Sequence, residues 1–366
     1  MDKVDFYSGH QIKALTGLRG VGVLLVVIYH FHLAQLGVFE PFFSNGGSVG
    51  IFLFFSLSGY ILALLYHAKF RSSAFVRDYA SFIWKRFARV YPLHAFLLIL
   101  LLFVYPKLNI GSPNDTSQLF ANLTLTHAWG FDKLSYIAAS WSISIEFLFY
   151  LFFPFMVLSL NRWVAVAIFL ALGIFYALLT TGMITLNLEL KSYADHRIFV
   201  YGAFFVLGVS VFYMTEHRLV RQLLDNNFAF VALCAIVVLV PYNKYLYFSY
   251  PFVIPLLIRS SHTSRIGNYL LSGTVILWLG ELSYSIYMSH QLIYLLVDST
   301  GQGKPIDLFL KFGSIYILLF IWCIFCFYVI EMPMRSKIQS VYNRSIKDKI
   351  APGNLNKHVN GESATF

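Results

Sequence analysis

Along the chain, runs of about twenty apolar residues alternate with short polar segments, and a run of that length lets an α-helix cross a hydrocarbon layer. The runs fall near 14–36, 47–67, 90–108, 138–158, 163–181, 197–214, 228–242, 245–259, 273–297 and 308–330. The pattern predicts an all-α fold, a polytopic transmembrane helical bundle of about ten spans. The seventh and eighth runs are short and joined through Pro241, Tyr242 and Asn243, so the pattern marks their ends least sharply. The first run does not read as a cleaved leader: no basic segment directly precedes it, no A-x-A site follows, and it contains Arg19 and His30. Beyond about residue 340, Pro, Gly, Asn, Lys and Ser replace the apolar period. The expected division is a membrane domain over 1–340 and a disordered tail over 341–366. The largest segment on the side opposite the termini, roughly 109–137, leaves no room for a soluble domain there.

Composition agrees with the pattern. Of 366 residues, 58% are hydrophobic and only 12% charged, about half the charge of a soluble domain. That excludes a water-soluble globule, and 37 Phe with 24 Tyr exclude a disordered chain. The net charge of +10 does not indicate nucleic acid, because the basic residues cluster between apolar runs. With an even span count, 20 of the 27 Lys and Arg fall on the side of the termini. The positive-inside rule then makes both termini cytoplasmic. Cys323 and Cys326 have C-x-x-C spacing, but without a second pair or nearby histidine they predict no metal site. No internal repeat suggests an inverted-repeat transporter.

Ionisable groups inside a membrane are costly, so each one needs a reason. Arg19 and His30 are eleven residues apart, about three helical turns, on one face and roughly 16 Å apart along the axis. Gly22 and Val26 lie on nearly the same stripe and are expected to leave room beside His30. At the entry to the third run, Arg86 and Arg89 are an i, i+3 pair whose guanidinium forks suit one phosphate, although topology alone also explains basic residues there. In the fourth run Ser142 and Glu146 share a face, Trp141 suits the interface, and Glu146 must pair across helices, line a cavity or be protonated. In G-E-L-S-Y-S-I-Y-M-S-H, residues 280–290, nine residues turn His290 about 180° from Glu281. That segment therefore reads as mainly structural, with His290→Ala expected to retain at least part of the activity. The serines near Gly50 and Gly59 read as support for close helix packing.

Taken in order, these elements resemble the acyltransferase-3 membrane acyltransferases. L-R-G is followed after ten residues by His30, then come G-x-F-L-F-F-S-L-S-G-Y, R-x-x-R, S-W-S-I-S-I-E-F-x-F-Y and G-E-L-S-Y-S-I-Y-x-x-H. E-M-P-M-R closes the set at Glu331 to Arg335. The resemblance covers nearly residues 10–337. It implies an O-acetyltransferase of a bacterial inner membrane that takes acetyl from cytoplasmic acetyl-coenzyme A and places it on an extracytoplasmic saccharide. Some members carry an added hydrolase-fold domain at the carboxyl end; none is expected here, which favours members acting on lipopolysaccharide O-antigen, exopolysaccharide or lipo-oligosaccharide over peptidoglycan. Carried across by position, the resemblance makes His30, Arg19 and Glu146 catalytic, Arg86 and Arg89 donor-binding, and Trp141 and Ser142 acceptor or site support. It implies no bound cofactor or metal. Partners are acetyl-coenzyme A, a saccharide acceptor and membrane lipid, and not nucleic acid. Two other classes use the same residues: a transporter or flippase with Arg19, His30 and Glu146 along its path, or a scaffold with them as interhelical glue.

Overall fold

Within lipid every backbone N–H and C=O must find its partner inside the protein, and helices achieve this segment by segment. The computed structural model describes residues 9–30, 40–107, 116–129, 135–180, 193–298 and 305–350, which are helical almost throughout and contain no strand. The helices are α1 (Gly9–His30), α2 (Glu40–Phe70), α3 (Phe75–Lys107), α4 (Thr116–Leu123), α5 (Ser140–Ser159), α6 (Arg162–Thr180) and α7 (Tyr193–Met214). They continue as α8 (Arg218–Leu224), α9 (Asn227–Leu239), α10 (Tyr250–Thr263), α11 (Arg265–Leu271), α12 (Thr274–Asp298), α13 (Pro305–Phe325) and α14 (Met332–Ile350). A π-helical stretch, Cys326–Glu331, joins the last two.

Each of the ten apolar runs is found as a helix, but fewer are long and apolar enough to span alone. Among the described residues six qualify, or seven if the bent pair Arg218–Leu224 and Asn227–Tyr242, 68° apart, is one span. The seventh and eighth runs are cut short by 3-10 turns at Val240–Tyr242 and Lys244–Ser249. Helix α12 falls short for a different reason: its Glu281, serines, tyrosines and His290 lower its hydropathy. The 109–137 segment contains α4, and its Asn122 and His127 are buried. Helix α14 continues past residue 340 to Ile350, while 351–366 and the last part of the first run, 31–36, lie outside the described residues.

Helix α1 packs between α2 and α12, and α2 packs along α7. Glycines permit the closest approaches. A Cβ at Gly59 would strike the Phe205 carbonyl and one at Gly208 the Ser56 carbonyl, so α2 and α7 meet backbone to backbone. Two apolar clusters result. One gathers Leu57, Tyr60, Phe153, Phe204 and Ile254 around α2, α7 and α10. The other gathers Val26, Leu93, Leu97, Leu282 and Cys323 around α3, α12 and α13. Helix α1 contributes to both, and the seam between them carries the polar residues. Outward, Phe103, Phe155, Ile174, Leu239 and Ile321 are exposed, as a lipid-facing surface requires.

Candidate active site

A cavity opens at that seam. Its polar wall is Arg19 of α1, Ser58 of α2, Arg89 of α3, Ser142, Glu146 and Tyr150 of α5, and Ser283, Tyr284 and Tyr287 of α12. Ile51, Phe54, Phe55, Val90 and Ile143 complete it. With its open mouth included it holds about 660 Å³.

Helix periodicity divides the α5 motif into two faces, because residues four apart lie together. Ser142, Glu146 and Tyr150 face the cavity. Tyr150 donates its hydroxyl to Glu146 Oε1 at 2.6 Å and accepts from Ser58 Oγ at 3.4 Å. On the other face Ser140 and Ser144 hold the segment that follows α4. Ser144 Oγ donates to the Leu125 carbonyl at 2.7 Å and accepts from Ala128 N–H at 3.1 Å. Ser140 Oγ donates to the Ile137 carbonyl at 2.8 Å and accepts from His127 Nε2 at 3.1 Å.

Positive charge is in excess around the cavity. Arg19 and Arg89 line the cavity together with the carboxylate of Glu146. The next acid is Glu331, buried at the end of the π-helical stretch. It accepts from Ser285 Oγ at 2.9 Å and faces Arg89 and Arg335. In a low-dielectric interior such an excess favours a bound anion. Arg86 and Arg89 differ in direction despite their spacing. Arg89 lines the cavity, whereas Arg86 donates to the Tyr66 hydroxyl at 3.3 Å and lies over the Tyr66 and Phe82 rings at 5.7 and 5.8 Å. Trp141 is also off the wall, with Arg197 4.6 Å over its ring and Tyr201 4.9 Å away.

His30 is the last described residue of α1 and does not line the cavity. Its Nδ1 donates to the Val26 carbonyl at 2.8 Å, and its ring lies 4.8 Å from that of His290. Tyr287 connects the pair to the cavity. Its side chain lines the cavity with Ser142, its carbonyl accepts from His290 Nδ1 at 2.6 Å, and its ring is 5.8 Å from the His290 ring. The order is cavity, Tyr287, His290, His30.

Two expectations are corrected here. The Gly22–Val26 stripe leaves no room beside His30, because α2 fills it: a Cβ at Gly50 would meet the Gly22 carbonyl and Val26, both at 2.6 Å. The 280–290 segment is not merely structural. Glu281 and His290 do point opposite ways, with Glu281 exposed and His290 buried. The face turned inward is that of His290, and the same helix supplies Ser283, Tyr284 and Tyr287 to the cavity. The angular separation of Glu281 and His290 holds, and the cavity lies on the side away from Glu281. Ser58, Tyr150, Tyr284 and Tyr287 were not singled out as site residues. Tyr150 carried a signal, four residues after Glu146; the others do not stand out among 24 tyrosines and many serines.

Among known proteins, residues 12–332 match the acyltransferase-3 model, described as an acyltransferase domain. Acyltransferase MdmB of Streptomyces mycarofaciens is 35% identical over 160 residues, 39% of this chain and 38% of that protein. "Putative peptidoglycan O-acetyltransferase YrhL" of Bacillus subtilis (strain 168) is 26% identical over 92% of this chain and 56% of its own. A "Putative O-acetyltransferase" of Staphylococcus aureus (strain COL) is 23% identical over 89% of this chain and 58% of its own. The chain thus spans little more than half the length of the two relatives that match most of it. No solved structure matches. The matched residues contain the whole cavity wall, His30, His290 and Glu331, and the chain belongs to the acyltransferase-3 family.

Proposed function

We propose that this protein is a membrane O-acetyltransferase that moves an acetyl group from cytoplasmic acetyl-coenzyme A to a hydroxyl of an extracytoplasmic surface saccharide. The observation that carries the reading is the convergence of Arg19, Arg89 and Glu146 on one cavity of a helical bundle, in a chain of this family. The relatives' names support O-acetylation, and one of them names peptidoglycan as the acceptor. Lipopolysaccharide O-antigen, exopolysaccharide and lipo-oligosaccharide belong to the same chemical class.

The excess positive charge suits a polyanionic donor. Arg89, with Arg86 behind it, holds phosphate oxygens through planar forks. Arg19, beside Glu146, holds another anionic part of the donor. His30 takes the proton of the acceptor hydroxyl as that oxygen bonds to the carbonyl carbon. The tetrahedral intermediate then breaks its C–S bond, and the proton passes from His30 to the leaving sulfur, giving the acetyl ester and free coenzyme A. Glu146 fixes Tyr150 and the wall opposite Arg19, while Trp141 and Ser142 support the acceptor end. Both termini face the cytoplasm of an inner-membrane protein in this reading, so the donor enters from Arg89's side and the hydroxyl from His30's.

The test is transfer of radiolabelled acetyl from acetyl-coenzyme A to saccharide in inside-out vesicles, with mass spectrometry of the product. Label should appear with the parent chain and vanish with His30→Ala at equal membrane content. No label with the parent, as a transporter or scaffold would give, overturns the function. Full label with His30→Ala overturns the assignment of the base.

A further inference from the structure

Helices α8, R-L-V-R-Q-L-L, and α11, R-I-G-N-Y-L-L, have seven residues each, far too few to cross a bilayer. At about 100° per residue both divide into the same three faces. One face is apolar and exposed: Leu219 and Leu223 in α8, at 74% and 70%, and Ile266 and Leu270 in α11. The next packs inward, through Leu224 in α8 and through Gly267 and Leu271 in α11. The third is polar and exposed, with Arg218 and Arg221 in one helix and Arg265 and Tyr269 in the other.

Both helices sit at one end of the bundle, against the start of α9 and the end of α10. Ile266 N–H donates to Asn227 Oδ1 at 3.0 Å, and the Leu224 carbonyl accepts from Ser260 Oγ at 2.7 Å. Helix α8 is bent 68° from Asn227–Tyr242, so where α9 follows the membrane normal, α8 lies nearer to the membrane plane. His217, just before α8, packs edge-on against Trp163 with ring centroids 4.5 Å apart, and Arg162 lies 5.7 Å over the same ring. Charge at this end is one-sided. Arg162, Arg218, Arg221 and Arg265 are all exposed, with Glu216 the exposed acid beside them. Asp225 offers no compensation, because Arg259 occupies both its oxygens at 2.8 and 2.6 Å.

We propose that α8 and α11 form an interfacial docking surface for anionic phospholipid. Their leucine and isoleucine faces lie against acyl chains, and the arginines reach up to headgroup phosphates as amphipathic side chains do at an interface. The surface lies outside the seam cavity and rests on the bundle being a membrane domain, not on acetyl transfer. Any lipid satisfies the apolar faces, so the arginines make the choice of headgroup. Four guanidinium groups against Glu216 favour a phosphate whose charge no choline or amine cancels. A second copy of this chain fits poorly here, because it would set the same arginines against one another.

Trp163, 66% exposed, reports on this surface directly. The whole chain is reconstituted in phosphatidylcholine containing a rising fraction of lipid brominated on its acyl chains, either phosphatidylglycerol or phosphatidylcholine. The emission of Trp163 is the parent signal minus that of Trp163→Phe. Brominated phosphatidylglycerol should reach half-quenching at a mole fraction about fivefold or more below that of brominated phosphatidylcholine. Salt at about 0.5 M should narrow the gap. In the triple variant Arg218→Gln, Arg221→Gln, Arg265→Gln the two lipids should quench alike. Equal quenching of the parent, as a protein partner or an unselective lipid-facing surface would give, overturns the proposal. So does a preference for phosphatidylglycerol that survives the triple substitution, or relief of quenching by soluble glycerol phosphate, which would mark a site for free phosphate. Where the triple variant does not accumulate, the comparison of lipids on the parent decides. Acetyl transfer is not read, so losing this preference leaves the proposed reaction standing, and an inactive enzyme leaves the docking surface standing.

Discussion

Two pairs of histidines, all buried but the half-buried His30, flank the α5 motif, and they are built differently. The rings of His94 and His127 are parallel, 3° apart in plane with centroids 6.2 Å apart, whereas those of His30 and His290 are tilted by 60° at 4.8 Å. In the first pair each bonded nitrogen reaches another element. His94 Nε2 donates to the Asn122 carbonyl at 2.8 Å, and His127 Nε2 bonds Ser140. Asn122 itself accepts from Tyr136 N–H at 3.1 Å, so α3, α4, α5 and the segment between them are tied at one point. In the second pair both bonded nitrogens turn back onto their own helices. Removing a member of the first pair unpins structure, while removing His290 leaves α12 with its own backbone bonds. Residue type is the same in both, and three of the four rings are buried. The destination of the bonded nitrogen is what separates a staple from a candidate for chemistry.

The largest effect expected from this difference is on turnover. His30→Ala should lower acetyl transfer by about 10²–10⁴-fold, the usual contribution of a general base, with the melting temperature in detergent nearly unchanged. His94→Ala should do the opposite. It removes the His94 bond from the buried Asn122 carbonyl, which still accepts from Leu125 N–H at 3.3 Å, a cost of about 0.5–1.5 kcal/mol, and it should lower the melting temperature while turnover per folded molecule holds. A His94→Ala protein that melts like the parent but turns over like His30→Ala would erase the distinction.

A smaller effect sharpens the cavity side of the comparison. Arg89 lines the cavity and its neighbour Arg86 is engaged with Tyr66 and Phe82. Arg89→Lys keeps the charge but loses the planar fork, so the KM for acetyl-coenzyme A should rise about tenfold with little change in melting. An unchanged KM would make Arg89 a topology residue, equivalent to the other basic residues at the ends of the spans.

Much of this was legible in the sequence, and the exceptions have physical causes. The ten runs became ten helices because lipid demands continuous apolar length, which a linear pattern records. Arg19, Arg89, Ser142 and Glu146 were visible because a polar group is conspicuous in an apolar run. His290 was conspicuous too, but a helical wheel gives only angles within one helix. Which face turns inward is set by α1 and α2, through contacts such as that of Gly280 with Thr16. Tyr284 and Tyr287 were invisible for the opposite reason, since in a chain with this many aromatics a tyrosine in a span attracts no attention. The six-or-seven count of self-sufficient spans was also beyond a pattern reading: α12 can be polar because neighbours, not lipid, surround the face that carries His290.

The smallest effect concerns pH and falls on the staple. His127 lies outside the spans, and burial, with the neighbouring His94 adding to it, pushes its pKa down to about 4 from an ordinary value near 6.5. Held neutral in the folded segment, it binds a proton readily only when that segment detaches. Between about pH 6.5 and 4 the detached state therefore holds more protons than the native one, and stability must fall as pH falls through that window. Above the window the effect is absent, and below it the loss is complete, at most on the order of 3 kcal/mol for a shift of this size. The loss is local, since the segment tied by His94, His127 and Asn122 can open without dissolving the bundle. Hydrogen exchange of residues 122–129 should accelerate from pH 7.5 to pH 5 relative to exchange in the α2–α7 core, after correction for the intrinsic rate. His127→Gln keeps an N–H for Ser140 and has nothing to titrate, so its segment should show a flatter dependence. Parallel pH dependence in parent and variant would move the titration elsewhere and leave His127 a hydrogen-bond donor alone.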